Sequence, residues 1–383
     1  MRNLIFVMAT AVTIALASCT HSTIDSKLQA RCQAICDSLV AAGEEVGMQF
    51  CVYKDGICVV DVCSGHLSKE PGAPEVTPSS LFAIFSTEKP MLSTAVHRAV
   101  EMGLMDYDKP LNTWWPEFTG DGKDSLTLRM TLAYRSGMPR VFDETLFPTD
   151  EDKADWDRLV AWAAAAKPEC RIGGPQKYMS MSYAWMLGHP LEVAYGKPLK
   201  VALDELVLEP AGIADEFYFA VPDDQMSRIA TTYGGYITKM NSAVLRRTCM
   251  PSAWGVASAR SIAKFYNRLC GFDGNEPLVK PSTLAEAIIP LRAEDDPLPA
   301  DIDTAHHMIF GMGYGVWGPS NDISRVFGHG GAGGSGAGLA CPATRMTIGL
   351  TCNDTKGSNR ARYHLLKAVG FDWRLADNPD APL

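Results

Sequence analysis

The chain lacks a Lys/Arg cluster, lacks Cys/His groupings at zinc spacing and, after residue 19, lacks any apolar run long enough to span a bilayer. Each absence closes a class. Without a basic stripe, and with a formal net charge of -9, the protein is a poor partner for nucleic acid or anionic lipid headgroups. Without C-x-x-C pairs, a structural zinc site is not expected, and neither a metal nor an organic cofactor is implied. Low-complexity stretches, linkers and internal repeats are also missing, so 383 residues with 46% apolar content point to one large domain or two intimate ones.

What is present begins with targeting. Arg2 and the apolar residues 4–15 read as a signal peptide over residues 1–18, too short for a stable membrane span. Leu16-Ala17-Ser18-Cys19 resembles a bacterial lipobox, which makes Cys19 the expected lipidation site and the mature N-terminus. The expectation is an exported lipoprotein facing the periplasm or the cell exterior, touching membrane only through its anchor. Export permits disulfides, but Cys51, Cys58 and Cys63 sit in apolar strand-like runs, where a thiol is a small hydrophobe. Most cysteines are therefore expected unpaired, with room for one or two bridges.

Periodicity predicts a helix over 27–42 and a hairpin of strands 46–53 and 57–64 turning at Asp55-Gly56. A short apolar run, 80–85, leads into an amphipathic helix over 88–102. Helices are expected over 152–166, 182–195, 261–269 and 359–369, and strands over 311–317, 325–328, 336–341 and 345–352. This order gives an α+β fold. An antiparallel sheet from residues 19–87 and 246–383 is flanked by helices, and 88–245 form a largely helical inserted lobe. The cleft between the lobes is a natural place for a site.

Ser86-Thr87-Glu88-Lys89 is an S-x-x-K string at the start of the amphipathic helix. With i and i+3 on one face, the Lys89 amine reaches the Ser86 hydroxyl, and a buried amine loses its proton readily enough to act as a base. Ser261-Ile262-Ala263-Lys264 is a second match, but about one chance match is expected in a chain of this length and composition. It lies inside a helical pattern and reads as structure. Tyr178-Met179-Ser180, after the loop glycines 173 and 174, offers a phenol that can relay protons beside a lysine. The glycine-rich run 328–336 lets backbone approach a ligand, and a strand rather than a helix follows its G-x-G-x-x-G string, which argues against dinucleotide binding. His306-His307 reads as a loop pair. Trp254 and Trp317 are open between an acyl pocket and core. The sequon Asn353-Asp354-Thr355 reads as idle in a bacterial exporter.

Taken in order, Phe85-Ser86-Thr87-Glu88-Lys89, Trp115-Pro116-Glu117-Phe118, Leu126-Thr127-Leu128-Arg129, Arg135-Ser136-Gly137-Met138-Pro139, Pro251-Ser252-Ala253-Trp254-Gly255 and Gly328-His329-Gly330-Gly331 resemble the serine β-lactamase-related superfamily. That group holds class C β-lactamases and D,D-peptidases, and the resemblance is closest to the family VIII carboxylesterases. It implies the penicillin-recognising fold, Ser86 as nucleophile, Lys89 as base and Tyr178 as acid/base partner. It also implies His329-Gly330-Gly331 opposite them, and the amide of Ala332 as the second oxyanion donor. The chain departs from the lactamases at Ser180, where they carry Asn, at His329, where they carry Lys, and at Cys341, where many relatives carry Asp before a Pro. The expectation is a serine hydrolase taking small-molecule esters of short-chain acids. A β-lactamase, a D,D-peptidase or D-aminopeptidase-type amide hydrolase, and a catalytically silent tethered binding protein are the alternatives.

Overall fold

The computed structural model describes residues 24–138, 140–296, 309–317, 326–354 and 358–371. The first described helix, α1 (Ser26–Ala41), starts where the Asp25 carboxylate accepts the Lys27 and Leu28 amides. Strands β1 (Gly47–Lys54) and β2 (Ile57–Gly65) follow as the expected hairpin. Its two turn residues, Asp55 and Gly56, have φ of 51° and 85°, the left-handed pair that a tight hairpin requires. Only glycine fits at 56, since a Cβ there would lie 2.4 Å from the Phe272 carbonyl oxygen.

The chain then makes β3 (Phe82–Ala83) and α2 (Lys89–Glu101). A run of helices follows, including α3 (Trp156–Ala165) and α4 (Tyr183–Tyr195). β4 (Phe217–Tyr218), β5 (Val256–Ala257) and α5 (Ala259–Leu269) return it to the sheet, which β6 (Ile309–Phe310), β7 (Gly315–Trp317), β8 (Val326–Gly330), β9 (Gly336–Cys341) and β10 (Met346–Cys352) complete. α6 (Ser358–Val369) packs against α1. The main sheet is antiparallel, in the order β2-β1-β10-β9-β8-β7-β6, and β3-β5-β4 form a small second sheet. β1 pairs with β10 from Met48–Cys352 to Lys54–Met346, so distant parts of the chain share the sheet centre. One face is covered by α1 and α6, the other by α5. α5 sits close because Gly349 and Gly338 lie beneath it: a Cβ at 349 would come within 1.9 Å of the Ala259 carbonyl oxygen.

Two expected elements differ. Residues 152–166 are not one helix but Asp150–Ala154 and α3, because Asp155 turns out of the helix and accepts the Arg158 amide as a new N-cap. Residues 311–317 are strand only from Gly315, since the chain turns at Gly313 with φ of 93°. Arg325, the expected start of the next strand, and His306-His307 lie outside the described residues, as does Cys19. The ten cysteines described are all unbridged. Trp254 and Trp317 are core residues, 2% and 5% exposed. The Asn353 side chain accepts the Gly47 amide and donates to the Leu67 carbonyl inside the fold. No described helix is long and apolar enough to cross a membrane.

Candidate active site

The site begins with a strained turn. β3 is held by its pairing with β5 and by the Ile84 amide on the Gly255 carbonyl at 3.1 Å. Phe85 then adopts φ of 48°, a left-handed conformation that costs a bulky residue on the order of 1–3 kcal/mol. This turn swings the chain from strand to the 3-10 turn Phe85–Glu88 and leaves Ser86 half-buried at the helix start.

Lys89, one turn on, is fully buried. Its Nζ lies 3.0 Å from Ser86 Oγ, 2.6 Å from the Ser252 carbonyl oxygen and 5.2 Å from the centre of the Tyr178 ring. Burial pushes the amine down to about 7, with the Glu88 charge opposing. The second match behaves otherwise. Ser261 Oγ donates to the Ser258 and Glu216 carbonyls inside the first turn of α5, and Lys264 reaches the Gly212 carbonyl at 2.7 Å.

Tyr178 stands in the loop before α4. Its ring stacks on Tyr134 with centroids 5.5 Å apart, and Phe310 and His329 lie 5.7 and 5.8 Å away. The loop is pinned from several sides. The Arg135 guanidinium donates to the Gly173 and Gly174 carbonyls, Arg140 Nε donates to the Tyr178 carbonyl at 2.9 Å, and Gln176 exchanges two hydrogen bonds with the Phe310 backbone on β6. Ser180 follows two residues on, half-buried in the same loop.

Opposite, β8 delivers His329 and Gly330. His329 is 1% exposed; its Nδ1–H donates to the Gly330 carbonyl at 2.7 Å, and burial with the nearby Lys89 charge pushes its ring down to about 3. The imidazole is thus neutral at physiological pH, with Nε2 a buried acceptor. The turn Ala332–Gly334 comes next. A Cβ on Gly331 would lie 2.6 Å from the Ile84 carbonyl oxygen, so glycine is what allows this turn to rest against the segment that leads into Ser86. Behind the turn, Arg362 of α6 has a guanidinium nitrogen 3.6 Å from where a Cβ on Gly330 would sit.

The structure therefore brings Ser86, Lys89, Tyr178 and His329 together, with Gly331 and Ala332 on the adjoining turn. Sequence reasoning missed the supports: Ser252, whose carbonyl holds Lys89; Gln176 and Arg140, which pin the tyrosine loop; Tyr134 and Phe310, which wall the ring; and Glu88. Of these, Ser252 and Glu88 carried a signal, since both stand inside motifs that the chain shares with the family, but neither motif assigned them a role. Among the described residues no group of three or more His, Cys, Asp or Glu side chains could hold a metal.

A sequence model of the beta-lactamase family matches residues 33–371. The esterase/beta-lactamase LipL of Mycobacterium tuberculosis is 26% identical over 342 residues, covering 80% of this chain and 77% of LipL. Among solved structures, a family VIII carboxylesterase superposes with a TM-score of 0.75 at 23% identity, covering 91% of this chain and 98% of that one. A penicillin-binding protein homologue from Caulobacter crescentus gives 0.74 at 24% identity, covering 90% and 97%. With the S-x-x-K serine, the buried lysine and the facing strand brought together, and the family's pattern running through nearly the whole chain, this protein belongs to the beta-lactamase family of serine hydrolases.

Proposed function

We propose that the protein is a carboxylesterase that hydrolyses esters of short-chain acids through an acyl-enzyme on Ser86. Lys89, with Tyr178, takes the Ser86 proton as Oγ attacks the ester carbonyl. The oxyanion is held by the amides of Ser86 and Ala332. Tyr178 returns a proton to the departing alkoxide, and water, activated by the same pair, then clears the acyl group. The 3.0 Å approach of the Lys89 amine to Ser86, with the amine near neutrality, speaks for an active enzyme over a silent binding protein.

The observation that carries the ester reading is the neutral, buried His329. A β-lactam presents a carboxylate, and the related lactamases meet it with Lys at this position. An imidazole that stays uncharged supplies no cation, and Ser180 offers one hydroxyl where Asn would both donate and accept. Losing one charge-assisted contact and one hydrogen bond removes roughly 2–4 kcal/mol of transition-state binding, on the order of a hundredfold in specificity. An ester needs neither anchor. The name of the superposed carboxylesterase supports the same reading, while that of LipL holds both activities.

The test compares kcat/KM for p-nitrophenyl butyrate and a chromogenic cephalosporin at pH 7 on one preparation. The ester is expected to lead by about a hundredfold, and equal efficiency would replace this reading with that of a lactamase. The proposal includes a membrane-tethered location, resting on Leu16-Ala17-Ser18-Cys19. Labelled palmitate is expected on the mature protein and its absence from Cys19→Ala, which should move to the soluble fraction. A soluble wild-type protein beginning at Ser18 would remove the anchor.

A further inference from the structure

Glu88 is fully buried at the junction between the turn that carries Ser86 and the helix that carries Lys89. Both of its carboxylate oxygens are occupied by backbone. Oε1 accepts the Trp254 amide and Oε2 the Gly255 amide, each at 2.9 Å. Residue 255 has no room for anything but glycine, since a Cβ would sit 2.0 Å from Glu88 Oε2. Two residues before this clamp lies Ser252, whose carbonyl oxygen is 2.6 Å from Lys89 Nζ and whose hydroxyl donates to the Met181 carbonyl at 3.0 Å, three residues past Tyr178. The segment 252–255 thus touches the nucleophile turn, the lysine and the tyrosine loop, and Glu88 is what grips it.

Resting on the reading of Ser86 and Lys89 as nucleophile and base, we propose that Glu88 is a positioning residue: by gripping the Trp254 and Gly255 amides it fixes the Ser252 carbonyl that aims the Lys89 amine at Ser86. Nζ donates to the Ser252 carbonyl at 2.6 Å and to Ser86 Oγ at 3.0 Å, so the fixed carbonyl holds the amine within reach of the serine hydroxyl. The carboxylate also faces the amine electrostatically, and it opposes the effect of burial on Lys89. Burial raises Glu88 itself well above the ordinary carboxylate range, which the Lys89 charge and the amides of 253–255 offset only in part; both oxygens accept backbone N–H groups, the geometry of an ionised carboxylate. The other titratable or charged groups around the pair are Tyr178 from its loop, His329 from β8, which stays neutral, Arg362 from α6, and the Cys249 thiol, which burial keeps protonated.

Glu88→Gln keeps the volume and breaks the grip. An amide side chain has one acceptor oxygen, and its NH2 must face one of the two backbone N–H groups. Loss of the charge and loosening of the Ser252 carbonyl act on Lys89 in the same direction, since both had favoured its protonated form. The acid limb of the kcat/KM profile for p-nitrophenyl butyrate is therefore expected to move down by about 1 pH unit, the size of effect that one nearby opposite charge exerts. A less basic, less well aimed amine should lower the plateau of kcat about tenfold, with KM nearly unchanged. Glu88→Asp, which keeps the charge but draws it back by one methylene, should restore the limb more than the plateau.

All rates are to be referred to sites titrated with a fluorophosphonate, so that unfolded protein drops out. A limb that stays in place in Glu88→Gln overturns the proposal, whether or not kcat falls, because a residue that serves only packing behaves that way. If neither variant is recovered folded, Glu88 is a folding residue and the proposal is withdrawn. If instead wild type fails to label, or Ser86→Ala labels equally, it is the serine-hydrolase reading that fails, independently of Glu88.

Discussion

Burial brings the Lys89 amine from an ordinary 10.5 to about 7, and if Lys89 is the base proposed above, this sets the pH behaviour of the reaction. The general base must be unprotonated, so kcat/KM for p-nitrophenyl butyrate is expected to rise through about pH 7 with the slope of one proton and to level above it. The same displacement has a stability side. The folded-state pKa lies below the unfolded one, so between about 7 and 10.5 the unfolded chain binds more protons and stability rises with pH across that window. Below it the full cost of an unfavourably buried ammonium is present, each tenfold loss of proton affinity costing about 1.4 kcal/mol. Lys89→Met should remove turnover by orders of magnitude and raise the thermal midpoint, by more at pH 6 than at pH 10. Ser86→Ala should be equally inactive with an unchanged midpoint, since a half-exposed hydroxyl contributes little to folding. A flat profile between pH 5 and 9 would remove Lys89 from the role of base.

At the scale of elements, what the sequence made legible is what is written locally. The hairpin at Asp55-Gly56 and the helix that opens after Asp25 carry their own turn and cap residues, the amphipathic helix behind Ser86 has Pro90 in its first turn, and each lies where periodicity puts it. The helix break at Asp155 was also written locally, but an acid inside a helical run reads equally well as a solvent-facing position. The short strand at 315–317 was blurred because Gly311 and Gly313 look like strand glycines until their neighbours are known; a Cβ at 313 would meet Ser93 Oγ at 2.1 Å. The proposed nucleophile Ser86 and Lys89 were legible because they stand three residues apart, one turn of the chain where the 3-10 turn runs into α2. What supports them was not, because Ser252, Gln176, Tyr134 and Phe310 come from segments far apart in sequence and act through backbone carbonyls or ring faces that no local pattern marks.

The molecule as a whole is closed by its two ends. β1 and β10 pair over seven positions, α6 lies against α1, and the core beneath them draws on residues from Cys32 to Phe371. The site has the same property: Ser86 comes from early in the chain, Tyr178 from the helical middle, and His329 from a strand two places from β10. A chain ending at residue 357 would lose α6 and with it the buried side chains Ala361, Leu365, Leu366, Val369 and Phe371. At about 1.5–3 kcal/mol for each large apolar side chain returned to water, the loss approaches the whole stability of an ordinary domain, about 5–15 kcal/mol. It would also uncover the apolar face of β1 and β10, from Met48 to Leu350, as a surface ready to associate. Removal of this helix is therefore expected to abolish folding of the entire protein, the distant Ser86 turn included, rather than fray one edge. Soluble yield, near-ultraviolet circular dichroism and fluorophosphonate labelling of the shortened chain measure this directly. A soluble product that unfolds cooperatively and still labels at Ser86 would show that the sheet and site stand without α6, and that the joining of the ends is not what holds the cleft.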